Sequence, residues 1–273
     1  MKTVIIATDF SNISNNACGY AASALVGKDY TLVLFYLYNP SIHVLNAQSS
    51  AATFDHMLGI QKDKLDMAAG NLKKLYNHSI TTYLATGNFQ EELQHCIELH
   101  QADMVVMGMA GKSFDQDLLG NATTAPIHRL KFPVLAIPEG AAFRGFKRFL
   151  FAVDMLRGVH RQVLARVRQL ASDFGATVEV FHVRQKIEEI QETEEIDHHL
   201  ETIKSQFQGI HYTYRNVTSQ KIVSSIRDEI SNGNYDLLIM VPQRYGFWES
   251  AVHRSKTRMM ASGIDIPLLS LPL

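Results

Sequence analysis

The chain repeats itself at domain scale, and that repeat limits the folds open to it more than any single motif does. Thr3 to Thr8 (TVIIAT), a β-branched apolar run ended by Asp9, returns as Phe149 to Val153 ended by Asp154. Thr31 to Leu37 returns as Thr177 to Val183, Asp103 to Met107 (DMVVM) as Asp236 to Val241 (DLLIMV), and Phe132 to Ile137 (FPVLAI) as Ile266 to Leu271 (IPLLSL). Glu139 to Phe146 (EGAAFRGF) is small and rich in Gly and Ala, so it is the expected junction between a first domain, 1–140, and a second, 147–273.

Continuous apolar runs of this kind suit strands covered on both faces. In the first half they alternate with helical patterns. Ser11, Asn12 and Ser14 offer N-caps for a helix from Asn15 to Val26 that carries Ala17, Ala21 and Leu25 on one face. A polar loop from Asn39 to Ser50 precedes a long amphipathic helix, Thr53 to Tyr76, and then come a strand, Thr81 to Ala85, and a helix, Glu91 to His100. Strand–helix alternation predicts a five-stranded parallel sheet with right-handed crossovers in this half. Ligands of such sheets sit beyond the carboxyl ends of the strands, where strand order reverses. Asp9, Leu37 and Gly108 all stand at such ends.

Between the two strands Met104 to Met107 and Val134 to Ile137 lies a loop opened by Gly108-Met109-Ala110-Gly111, with Gly120-Asn121 before a further helix. Exposed N–H groups on a glycine-rich loop that enters a helix form an anion site. The second half has Pro242-Gln243-Arg244-Tyr245-Gly246 at the matching place. Proline supplies no N–H, and side chains in place of glycine crowd a bound phosphate, so only the first half is expected to keep a nucleotide-type loop.

Composition closes off other classes. A formal net charge of -1 over 273 residues provides no reservoir of positive potential for nucleic acid. No apolar run approaches the ~18 residues of a membrane span. The opening MKTVIIATDFS, cut by Asp9, reads as a core strand and not as a signal peptide. The two cysteines, Cys18 and Cys96, have no metal-ligand or CxxC neighbour, and the expected compartment is the cytoplasm.

On these residues the chain resembles a tandem universal stress protein, with both halves as copies. The family pattern is G-x-x-G, nine residues, then G followed by Ser or Thr. Gly108-Met109-Ala110-Gly111 and Gly120-Asn121 follow it, with a spacer, Lys112 to Leu119, one residue shorter and with Asn121 in place of the hydroxyl residue. The resemblance implies an adenine nucleotide alpha hydrolase-like fold: two open parallel five-stranded sheets of order 3-2-1-4-5, with helices on both faces. It implies adenine-nucleotide binding, ATP above all, in the first domain, with magnesium only alongside ATP, and a regulatory role in stress response. By the same resemblance Asp9 reaches the adenosine and the Leu37 backbone contacts adenine. Met107 and Gly108 line base and ribose, Gly111 and Gly120 let the backbone approach the phosphates, and Asn121 and Ala122 offer phosphate-directed N–H groups. It implies too that the last strands pair, making the halves an intramolecular pseudo-dimer, and leaves room for a homodimer of whole chains.

The residues also carry plainer readings. Asp9 in DFSNIS reads equally as a turn-capping carboxylate, and Asp154 reads as that cap alone. His198 and His199 are adjacent and point to different helix faces, and no HExxH spacing occurs, so no metal centre is expected. No nucleophile elbow or Walker loop is present, which leaves at most weak ATP hydrolysis and makes binding, not catalysis, the expectation. Arg244, His253, Arg254, Lys256 and Arg258, interleaved with Tyr245, Phe247 and Trp248, read either as a solvated helix face or as a surface for an unidentified protein partner. That surface supports the alternative function, an interaction scaffold that binds no nucleotide.

Overall fold

The structure is a computed structural model that describes residues 2–40, 51–109, 132–155, 158–184, 192–241 and 264–272. Its contacts give two compact units, the first holding the described residues up to Met109 together with Val134–Phe143, the second those from Arg144 onward.

In the first unit the elements are β1 (Lys2–Thr8), α1 (Asn12–Ala24), β2 (Tyr30–Leu37), α2 (Ala51–Tyr76), β3 (Ser79–Ala85), α3 (Phe89–Leu99), β4 (Met104–Met109) and β5 (Val134–Pro138). The strands are parallel and lie in the order β3-β2-β1-β4-β5. Helices cover both faces, and the side chains show which. Thr82 of β3 meets Asp66 of α2, while its neighbour Tyr83 stacks on Phe35 and packs against His95 of α3. Successive strand residues point to opposite faces, so α2 and α3 lie on opposite sides. Thr8 bonds Ser14 of α1, and the register Thr8–Tyr36 with Leu34–Thr82 places α1 on the α2 side. The centre of β2, Leu32 to Phe35, is buried from both sides, as its continuous apolar run requires.

Several boundaries differ from the sequence expectation for local reasons. Helix α1 starts at Asn12 because Ser11 is the N-cap, its Oγ accepting the Ser14 N–H at 3.2 Å. Asn88 likewise starts α3 two residues early, its Oδ1 accepting the Gln90 and Glu91 N–H groups. β3 begins at Ser79, because its ladder with β2 runs from Thr31–Ser79 to Leu37–Ala85. The main correction falls on Gly108 and Met109. They are strand and not loop, since β5 continues far enough to pair Gly108 with Ile137 and Met109 with Pro138.

The second unit contains β6 (Arg148–Ala152), α4 (Arg161–Phe174), β7 (Thr177–Arg184), α5 (Glu192–Gln206), β8 (Tyr212–Thr218), α6 (Ile222–Gly233), β9 (Leu237–Met240) and β10 (Leu268–Ser270). Its order, β8-β7-β6-β9-β10, repeats the first. The repeat extends to single hydrogen bonds. Asp103 donates its N–H to Thr3 O at 2.8 Å and its Oδ2 accepts the Thr3 N–H at 2.9 Å. Asp236 donates to Arg148 O at 2.9 Å, and its Oδ2 accepts the N–H groups of Arg148 at 2.9 Å and Lys147 at 2.7 Å. One aspartate thus anchors the start of the first strand in each unit, which is why DMVVM and DLLIMV both open with that residue. Among the described residues no helix is long and apolar enough to cross a membrane.

Candidate functional site

The carboxyl edge of the first sheet is shaped by where its ladders stop. β1 and β4 are paired from Val4–Met104 only to Ile6–Val106. β1 stays with β2 as far as Thr8–Tyr36, and β4 stays with β5 as far as Met109–Pro138, after which the Glu139 N–H still donates to Met109 O at 3.0 Å. The two pairs therefore part beyond Ile6 and Val106. A crevice opens at the point where strand order reverses, the place such sheets use for ligands.

One wall is the turn from β1 to α1. Thr8 Oγ1 accepts the Phe10 N–H at 3.0 Å and lies 3.1 Å from Ser14 Oγ, which in turn accepts the Asp9 N–H at 3.3 Å. Asp9 Oδ1 accepts the Ser11 N–H at 2.9 Å, and Asn15 Nδ2 donates to Phe10 O at 3.2 Å. These bonds hold Phe10 in the left-handed region, φ 62°, where a side chain larger than Asn is uncommon. Burial alone would raise the Asp9 carboxyl, but the hydrogen bonds from Ser11 and Ser14 outweigh it and hold its pKa below the ordinary value. The carboxylate is thus ionised and exposed at the rim, already serving as the turn cap.

The other wall is the end of β4. Met107 is buried, so its side chain belongs to the core. Gly108 lies against the first turn of α1. A Cβ built on it would sit 2.7 Å from Ile13 Cγ2, 2.7 Å from Ile13 O and 2.9 Å from Ile13 C. Helix packing alone requires glycine there, a job the sequence pattern does not separate from ligand approach. Leu37 pairs with Ala85 but stands one residue beyond the last β1–β2 pair, so its backbone passes the end of β1. Asp9, Leu37, Met107 and Gly108 thus share the edge formed by β2, β1 and β4. Gly111, Gly120, Asn121 and Ala122 lie outside the described residues, as do Pro242 to Gly246 and the basic segment from Arg244 to Arg258.

Three aromatic side chains and a lysine join this edge without a sequence signal. Phe10 meets Tyr36 edge-on at 4.7 Å, Tyr36 lies 6.4 Å from Tyr38, and Lys64 Nζ sits 4.0 Å from the Phe10 ring centre. Burial, then the fields of Tyr38 and Asp9, push the Tyr36 hydroxyl above its ordinary range. In the sequence Tyr36 and Tyr38 merge into an apolar strand, and nothing marks Lys64 on a long helix.

The second unit has a different edge. Taking Asp236 as the counterpart of Asp103, its β6–β9 ladder runs to Ala152–Met240, one step further than β1–β4. Asp154 is retained, but buried Met155 and His182 stand where Phe10 and Tyr36 stand in the first unit. His182 Nδ1 lies 3.3 Å from Met155 N and 3.2 Å from Val153 O. Among the described residues no three His, Cys, Asp or Glu side chains are grouped to hold a metal ion.

Comparison with known proteins agrees with this architecture. The profile of the universal stress protein family matches residues 1–138. A universal stress protein from Archaeoglobus fulgidus superposes with a TM-score of 0.75 at 17% identity, covering 99% of this chain and 98% of its own. A functionally unknown protein from Pseudomonas aeruginosa gives 0.61 at 12% identity, over 100% and 92%. At these identities the likeness is one of fold. No curated protein sequence matches the chain.

Proposed function

This chain belongs to the universal stress protein family, and we propose that its first unit binds an adenine nucleotide at the crevice between β1 and β4, in a regulatory stress-response role. The observation that supports the reading is the early end of the β1–β4 ladder at Ile6–Val106, at the carboxyl edge where strand order reverses. Asp9, which caps the turn through Oδ1, reaches the adenosine from the end of β1. The Leu37 backbone, past the end of β1, reads the base. Gly108 leaves no side chain in the path; by the family resemblance, Gly111 and Gly120 let the backbone approach the phosphates, and Asn121 and Ala122 offer the phosphate-directed N–H groups. ATP is the expected ligand, with magnesium entering only on its phosphates. The second unit, closed one step further, acts as a structural or regulatory copy. The activity proposed is binding, with at most weak ATP hydrolysis.

Calorimetry tests this. ATP should give a saturable heat near one per chain, and Gly111→Val or Gly120→Val should abolish it without changing the circular dichroism spectrum. Wild-type protein that gives no heat at millimolar ATP defeats the proposal. A second reading, a scaffold that binds no nucleotide, draws on one observation: Asp9 and Gly108 both have complete structural jobs without any ligand. It gains if folded protein gives no heat.

A further inference from the structure

The carboxyl end of β2 is held by a side chain. Beyond the last register pair, Leu37–Ala85, the Tyr38 N–H donates to Ala85 O at 2.8 Å. The next residue then substitutes its carboxamide for backbone: Asn39 Nδ2 donates to Gly87 O at 2.9 Å, and its Oδ1 accepts the Gly87 N–H at 2.8 Å. A donor and an acceptor facing the N–H and C=O of one residue imitate a peptide group in a ladder. The pattern also fixes the amide's orientation, since exchanging O and N would set like against like at both contacts.

The anchor itself is firm. Gly87 has φ +109°, a conformation closed to most side chains, and the next residue, Asn88, caps α3. On its other side β2 has left β1 behind, because that ladder ended at Thr8–Tyr36. The segment Leu37 to Asn39 is thus fastened to the β3–α3 turn at the edge where Phe10 and Tyr36 meet.

Resting on the nucleotide reading above, we propose that Asn39 is a positioning residue for base recognition: its two hydrogen bonds to Gly87 fix the Leu37–Tyr38 backbone so that it reads adenine. The Leu37 C=O can accept a hydrogen bond from adenine's exocyclic amine. Guanine carries a carbonyl at that place, which sets acceptor against acceptor, so discrimination depends on how tightly that backbone is held.

The test compares ATP with GTP by calorimetry on the full chain, for wild type, Asn39→Ala and Asn39→Asp. Losing two exposed hydrogen bonds should weaken ATP by about tenfold in Asn39→Ala while GTP stays unchanged, so the ATP/GTP ratio falls. Asn39→Asp keeps the shape and the acceptor but turns a carboxylate oxygen toward Gly87 O, and should lose at least as much. The Tyr38 and Gly87 amides should exchange faster in both variants. Wild type that prefers ATP, with variants that keep the same ratio, overturns the role of Asn39 alone. Wild type that binds neither nucleotide overturns the nucleotide reading and this one with it.

Discussion

Gly108→Ala separates what the fold asks of this glycine from what a ligand would ask. The added Cβ would lie 2.7 Å from both Ile13 Cγ2 and Ile13 O. An ordinary contact is longer by several tenths of an ångström, and a carbonyl oxygen in the first turn of α1 cannot rotate away. The strand or the helix must shift, at a cost of about 3 kcal/mol, the upper part of the usual overpacking range. The added methyl group has no conformational penalty of its own, because Gly108 lies in a paired strand. Adding Ile13→Ala removes the Cγ2 contact but not the backbone one, so the double variant should recover less than half of the loss. The chain has two compact units, so one global transition does not report on the first; hydrogen exchange of the Ile6, Val105 and Val106 amides does. Exchange within ~0.5 kcal/mol of wild type in Gly108→Ala would refute the packing argument, and full recovery in the double variant would refute the role given to the carbonyl.

Three further outcomes follow from the same contacts. The Asp9 carboxyl is held below its ordinary value of 3.8, so its stabilising contribution is complete above that value and is lost as pH falls through the folded pKa. Ser14→Ala should move the carboxyl back toward the ordinary value, read by carbon NMR titration. Asp103→Ala should loosen the start of β1 by roughly 1 kcal/mol and Asp236→Ala the start of β6 by roughly 2, because the second carboxylate accepts two N–H groups and the first one; exchange of the Thr3 and Arg148 amides measures both. Burial pushes the thiols of Cys18 and Cys96 up to about 12, so native protein should resist iodoacetamide at pH 8, and mass spectrometry should find both alkylated only after unfolding.

The sequence made the α/β alternation legible because β1, β2, β4 and β5 are continuous apolar runs and α1 and α3 open at capping residues. It made the repeat legible because the anchoring aspartate precedes β4 and β9 alike. It gave no separate sign of β8, whose residues YTYRNVT are mostly exposed or half-buried and lack the apolar core of the central strands. The end of β4 was misplaced because Gly108 suggests a loop, whereas pairing with β5, remote in sequence, keeps it in the sheet. The position of Asp9, Leu37 and Gly108 at the sheet edge is legible because they stand at strand ends. That of Lys64, Phe10 and Tyr36 is not, since only tertiary packing brings a mid-helix lysine onto the β1–α1 turn. Asn39 escaped for the same reason, its partner Gly87 lying beyond α2 and β3.

Whether nucleotide binds the first unit, at the β1–β4 crevice, and not the second is decided by hydrogen exchange of the full chain with and without saturating ATP. Binding there should slow exchange at Asp9 to Ser14, at Leu37 to Asn39 and at Gly108, with no change from Val153 to Gly158 or at His182. Protection confined to the second unit, or none at millimolar ATP, would contradict it.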